Sequence, residues 1–204
     1  MNPIVRRVFA SIALAVTVSI AASIDAPAPA TAAPALESEM FVFDAFPHDS
    51  TAVNFWDSWG ARRSGGRRHQ GTDIMSPKGT PIVAVADGVV HEMGRHRLSG
   101  YFIRLDHGDG ITTTYMHLNN DTLGTDDGEG GAWTAYHATL HEGKEVRACD
   151  VIGYVGDSGN AEGTKSHTHF EIRIDGRKKN PYPWLRDIWV RTHADQLIPI
   201  NVPR

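Results

Sequence analysis

The chain has 204 residues, a formal charge of −4 and 41% hydrophobic residues, a balance that suits one globular domain with its own core rather than a disordered or fibrous chain. Its acidic sign argues against electrostatic capture by nucleic acid or by anionic wall polymers. A single cysteine, Cys149, excludes an internal disulfide.

Arg6 and Arg7 precede an uncharged Ala/Val/Ile/Ser-rich run from Val8 to Ile24, and a Pro/Ala stretch ends in Ala30-Thr31-Ala32. This reads as an export signal over residues 1–32, cut after Ala32. The alternative is a retained membrane anchor, but a weakly apolar run of roughly 17 residues sits at the lower limit for a span. Residues 33–57 form a lead-in segment whose Phe41, Phe43, Phe46, Phe55 and Trp56 are expected to pack onto the domain. The domain itself is expected over 58–190, with a C-terminal tail over 191–204. Arg62, Arg63, Arg67 and Arg68 cluster ahead of His69. They form either a solvated loop or guanidinium groups that fork onto carboxylates of an acidic peptide.

From Pro81 the chain reads as short strands with turn punctuation: Ile82 to Ala86, a turn at Asp87-Gly88, then Val89 to Met93. Tyr101 to His107 alternates, with Tyr101, Ile103 and Leu105 on one face, and Gly108-Asp109-Gly110 turns it into Ile111 to Leu118 as a hairpin. Residues 119–143 break the pattern. Asp121, Asp126, Asp127 and Glu129 among glycines predict a solvated, mobile loop, or a groove wall that touches substrate, with Trp133, Tyr136 and His137 anchoring its far end. The ordered ligand spacing of a calcium loop is missing there. Cys149 is expected as a half-buried, inert thiol beside a turn. Strands follow at Asp150 to Val155 and at His167 to Asp175, the latter closed by Asp175-Gly176. No run of about twelve residues outside the signal has helical periodicity. The fold class is therefore all-β, a single domain of short antiparallel strands.

Five polar side chains stand out within this frame. His69 and Asp73 flank Gly71, His117 ends a strand, and His167 and His169 are two apart. Residues two apart on a strand share a face, so each short motif can present its side chains together. Phe170, Ile172 and Ile174 form an apolar second face, which turns His167, His169, Glu171 and Arg173 toward a groove. Two imidazoles and a carboxylate can hold a zinc ion with a position left for water, and two further imidazoles can handle protons. Glu171 suits a carboxylate that accepts the other N–H of a ligating histidine. His137 and His141, four apart, are the other histidine pair at ligand spacing.

The motifs in order resemble the lysostaphin/LytM-type peptidoglycan metalloendopeptidases. That family carries H-x-G-x-D (here His69 to Asp73) and T-x-Y-x-H-L (Thr113 to Leu118). A glycine framework follows, here Val146 to Gly159, and then H-x-H-F-E, here His167 to Glu171. The likeness runs from roughly Trp59 to Leu185. It implies a sheet-based groove in a duplicated hybrid motif-like domain. It also implies one Zn2+ per chain on His69, Asp73 and His169, with His117 and His167 acting beside the metal. Which of the two is the general base is left open. The chain departs from the pattern at Gly163-Thr-Lys-Ser166, where relatives often have Gly-Pro, and in the long insertion after His117. Both departures bear on groove shape and substrate choice, not on the ligands.

The resemblance and the export signal together imply an exported or cell-envelope enzyme that cuts peptide cross-links of bacterial peptidoglycan. A monomer is expected, with no nucleic-acid partner and with membrane contact only if the signal is uncleaved. The rival readings are a non-catalytic regulator of other wall hydrolases and a wall-binding module with structural zinc. The intact ligand set and the two extra histidines favour the enzyme.

Overall fold

The computed structural model describes residues 41–49 and 52–193. The expected export signal, the first part of the expected lead-in segment and nearly all of the expected C-terminal tail lie outside them. Among the described residues the strands are β1 (Asn54–Phe55), β2 (Thr72–Met75), β3 (Pro81–Val83), β4 (Gly88–His96), β5 (Gly100–Asp106), β6 (Ile111–Leu118), β7 (Glu145–Val146), β8 (Val151–Tyr154), β9 (His167–Ile174) and β10 (Arg177–Lys179). The helices are α1 (Ala132–Ala135) and α2 (Tyr182–Thr192). The all-β expectation is met: an antiparallel sheet runs β1-β2-β9-β6-β5-β4-β7, with β10 pairing β9, beside a two-stranded sheet of β3 and β8.

Register decides which side chains reach which face. Ile103, Tyr115 and Phe170 lie abreast on β5, β6 and β9, and all three are fully buried. One residue along, Asp73, His169 and Met116 lie abreast on β2, β9 and β6, and so point out of the opposite face. The apolar row is roofed by the lead-in segment and α2. Phe43 meets Phe170 edge-to-face with centroids 5.6 Å apart, Phe46 packs on Trp189, and Leu185 and Ile188 close the core. Burial of each such side chain stabilises by about 1.5–3 kcal/mol.

Three features differ from the sequence expectations. First, α2 has 11 residues, too short for a period to stand out. Its Leu185, Ile188 and Trp189 nevertheless follow helical spacing against the core. Second, the strand expected over Ile82 to Ala86 ends at Val83 and pairs β8, while β4 runs past Met93 to His96 and pairs β5 and β7. Third, Cys149 is exposed rather than half-buried, turned outward by a left-handed backbone at φ +71°. The turn at Asp175-Gly176 has positive φ at both residues, the geometry of a two-residue hairpin, and it produces β10. Among the described residues no helix is long and apolar enough to cross a membrane.

The insertion is fastened at both ends. Asp121 is fully buried, and its carboxylate takes Lys78 Nζ at 2.6 Å and the Gly128 amide at 2.7 Å. Lys78 also reaches Asp126 at 2.5 Å and Asp157 at 3.0 Å. At the far end Tyr136 donates its hydroxyl to the Gly94 carbonyl at 2.7 Å, and the His137 amide donates to Ile152 at 3.0 Å. Trp133, by contrast, is 72% exposed and anchors nothing.

Candidate metal centre

Asp73 on β2 and His169 on β9 face each other across the strand pair. His69 comes from the coil just before β2, so its approach is set by packing rather than by strand alternation. Gly71 makes this possible: a Cβ there would lie 2.6 Å from the His169 ring. The result is a three-way convergence. His69 Nε2 lies 3.0 Å from Asp73 Oδ1 and 2.9 Å from His169 Nδ1, and His169 Nδ1 lies 2.9 Å from the same Asp73 oxygen.

The outer edges of the two imidazoles fix where their protons go. His69 Nδ1 donates to the Ser58 carbonyl at 3.1 Å, with Ser58 Oγ also 2.9 Å away. His169 Nε2 donates to Glu171 Oε1 at 3.3 Å. With those protons held outward, two nitrogen lone pairs and a carboxylate oxygen meet at one point. Only a positive charge in their midst, a shared proton or a metal cation, reconciles them. This donor set fits a zinc ion, which takes two imidazoles and a carboxylate and keeps a fourth position open.

The electrostatics point the same way. Burial raises the Asp73 carboxyl, but the adjoining His169 and His69 imidazoles, which share positive charge with it when a proton lies between them, hold it well below the usual carboxylate range. Burial opposes charge on His169, yet the carboxylates of Asp73 and Glu171 raise its affinity for a proton. Glu171 is buried. Burial raises its carboxyl, which His169 and Lys178, 2.5 Å away, pull down again. The far oxygen of Asp73 is hydrogen-bonded by Arg63, so one of the four clustered arginines serves the site's own carboxylate.

His117 and His167 stand beside this cluster, with ring centroids 5.1 Å apart, and the His117 ring is 6.1 Å from that of His169. Neither joins the three-atom convergence. His117 Nδ1 donates to the Ser158 carbonyl at 2.9 Å, and His167 Nδ1 donates to the Lys165 carbonyl at 2.8 Å. Each therefore keeps a lone pair on Nε2. Burial, reinforced by repulsion from His167, pushes the His117 pKa down to about 4. The five residues line one groove of about 910 Å³.

Sequence reasoning brought these five together but missed their supports. Ser58 carries no local motif, while Ser158 lay within the glycine framework and Arg63 within the arginine cluster without their partners at the site being foreseen. His48 carries no motif either; its ring is buried 2.9 Å from Thr168 Oγ1, between the two histidines of β9. Trp56, expected on the core, is 53% exposed and lines the groove, while Phe55 packs on Phe46 and Trp189 as expected. His137 and His141 join no metal-competent group among the described residues. His107 spans Asp87 O at 2.7 Å and Thr113 Oγ1 at 2.8 Å, a structural role.

Comparison with known proteins matches residues 67–181 to the model of Peptidase family M23. The DD-carboxypeptidase/endopeptidase Mpg of Neisseria meningitidis is 36% identical over 115 residues, covering 56% of this chain and 22% of that protein. The murein hydrolase activator NlpD of Salmonella dublin is 31% identical over 141 residues, covering 69% of this chain and 30% of its own length. This chain thus spans less than a third of these curated relatives. The catalytic domain of the antimicrobial peptidase lysostaphin from Staphylococcus simulans aligns with a TM-score of 0.53 at 26% identity, over 66% of this chain and 92% of that domain.

Proposed function

The chain belongs to peptidase family M23, and from that premise we propose that it is a zinc endopeptidase acting on peptide cross-links of bacterial peptidoglycan outside the cytoplasm. One zinc ion is held by His69, Asp73 and His169. The observation that carries this reading is the convergence of three acceptor atoms whose protons are fixed elsewhere.

Zinc in such a set supplies Lewis-acid charge for the scissile carbonyl and makes water acidic enough to attack near neutral pH. The remaining work falls to the chain. Amide hydrolysis needs a proton removed from water, a proton delivered to the departing amine and a donor for the oxyanion. His117 and His167 divide these tasks through Nε2, because Nδ1 of each is tied to a backbone carbonyl that fixes ring and tautomer. Ser58 and Glu171 orient the two ligand imidazoles, and Lys178 keeps Glu171 ionised.

The likeness to an activator of murein hydrolases favours a second reading, a non-catalytic regulator. Digesting purified peptidoglycans of different cross-link chemistry with the zinc-loaded chain, and identifying fragments by mass spectrometry, separates the two. New peptide termini support the endopeptidase. Intact cross-links in every wall type, with zinc fully bound, would leave the regulator.

A further inference from the structure

The groove is far more basic than the chain that forms it. Its lining carries seven lysines and arginines against two acids, Asp73 and Glu171, in a protein of formal charge −4. Some of the cations are already committed: Arg63 to Asp73, Lys178 to Glu171 and Arg104 to Glu92. Others are not. Arg67 donates to the Ser64 carbonyl at 3.2 Å and Arg68 to the Gly60 carbonyl at 3.1 Å, and neither pairs with a carboxylate among the described residues. Arg173 approaches Glu171 only to 3.7 Å, and its buried Nε has no partner. Lys165 is exposed.

Their placement about β9 is what matters. Arg173 lies on β9 four residues after His169, on the same alternation, and Lys165 lies in the coil two residues before β9 begins at His167; both line the groove. At about 3.3 Å per residue, Arg173 sits roughly 13 Å beyond His169 along the strand, with Lys165 on the other side of the two histidines. Arg67 and Arg68, from the segment just ahead of His69, add charge to the same groove. Guanidinium groups with unfilled donors select planar carboxylates. Accepting the peptidase reading above, we infer that the groove takes cross-linked peptides bearing a carboxylate on each side of the scissile bond, in preference to uncharged oligoglycine bridges.

The test uses three substrates with the zinc-loaded chain: a cross-linked peptide with free carboxylates, the same peptide with those groups converted to carboxamides, and an oligoglycine peptide. Hydrolysis and calorimetric binding are measured separately at low and high salt. The expected result is a preference of at least about tenfold in kcat/KM for the carboxylate form, carried mainly by KM and shrinking as salt screens it. Arg67→Gln/Arg68→Gln should narrow the preference by raising KM for the carboxylate form, with zinc content intact. Equal handling of the carboxylate and carboxamide peptides, in binding or turnover, would overturn the inference, as would faster cleavage of oligoglycine. Carboxylate-dependent binding without hydrolysis of any substrate supports the recognition and counts instead against the peptidase reading.

Discussion

His117 and Ser158 are tied by a side-chain hydrogen bond although 41 residues separate them, and a second bond fastens Ser158 to Leu118. The imidazole Nδ1 donates to the Ser158 carbonyl at 2.9 Å, and Ser158 Oγ donates to the carbonyl of Leu118, the residue after His117, at 2.5 Å. His117 itself has φ +61°, a left-handed conformation that a non-glycine residue keeps only when its surroundings hold it. Ser158→Ala keeps the first bond and deletes the second. Leu118 O loses that donor, and the Tyr101 amide, which donates to the same hydroxyl at 3.0 Å, loses its acceptor. We expect a loss of about 1–3 kcal/mol in urea unfolding and slower turnover at unchanged zinc content. Wild-type stability and rate in this variant would show that the strained turn holds without the hydroxyl.

His69→Ala should lose zinc and activity together, since it removes one of three convergent donor atoms. Elemental analysis of the purified variant decides the point: full occupancy would overturn the ligand assignment.

His117→Ala and His167→Ala should each retain zinc while turnover falls by about 10²–10⁴, the usual worth of general acid–base help. Metal content and single-substrate kinetics are read side by side. Loss of zinc from either variant, or near-native rates, would reassign the residue.

His48 gives stability a pH dependence of definite sign. Burial, aided by repulsion from His167, lowers its pKa from 6.5 to about 3 in the folded chain. Between those values the unfolded chain binds a proton that the folded chain refuses. Stability therefore falls as the solution is acidified from about pH 6.5 toward pH 3, by up to about 1.4 kcal/mol per pH unit from this group. His48→Gln should flatten that slope in denaturation measured between pH 4 and 6. Identical slopes for the two proteins would mean that His48 is protonated in place.

Lys78→Met should cost on the order of 3 kcal/mol, because it strands the buried carboxylates of Asp121 and Asp157. The partial exposure of Lys78 keeps the figure below that for a fully buried pair. A midpoint shift in urea worth under about 0.5 kcal/mol would show that the clamp is ornamental to the fold.

The site's strand elements were legible because period and face are local properties. The alternation from His167 to Ile174 placed Phe170 and Ile172 in the core, with His169 and Glu171 on the groove side. The glycine turn at 108–110 announced its hairpin. What the sequence hid is what depends on distant pairing. His69 reaches the cluster from coil, so the same-face spacing argument did not apply to it. The buried state of Asp121 requires an ammonium 43 residues earlier, and an acidic, glycine-containing stretch read alone predicts solvent instead. Ser58 and His48 act through hydrogen bonds to residues 11 and 120 positions away, and such bonds leave no local pattern; Ser158 stood in the glycine framework, but its bond to His117 was not readable there.

The roof that the lead-in segment lays over the sheet has a consequence for how this domain can travel. Phe43 and Phe46 lie ahead of residues 67–181, yet Phe43 covers Phe170 on the underside of the strand that carries His167 and His169, and Phe46 packs on Trp189 of α2. A graft that carried the groove and its His69, Asp73 and His169 cluster into another protein, but left this strap behind, would open Phe170 and the apolar side of α2 to water, at about 3–5 kcal/mol for each lost phenylalanine. The portable cassette is the groove together with its strap, and any natural or engineered recombination that separates them must supply another cover.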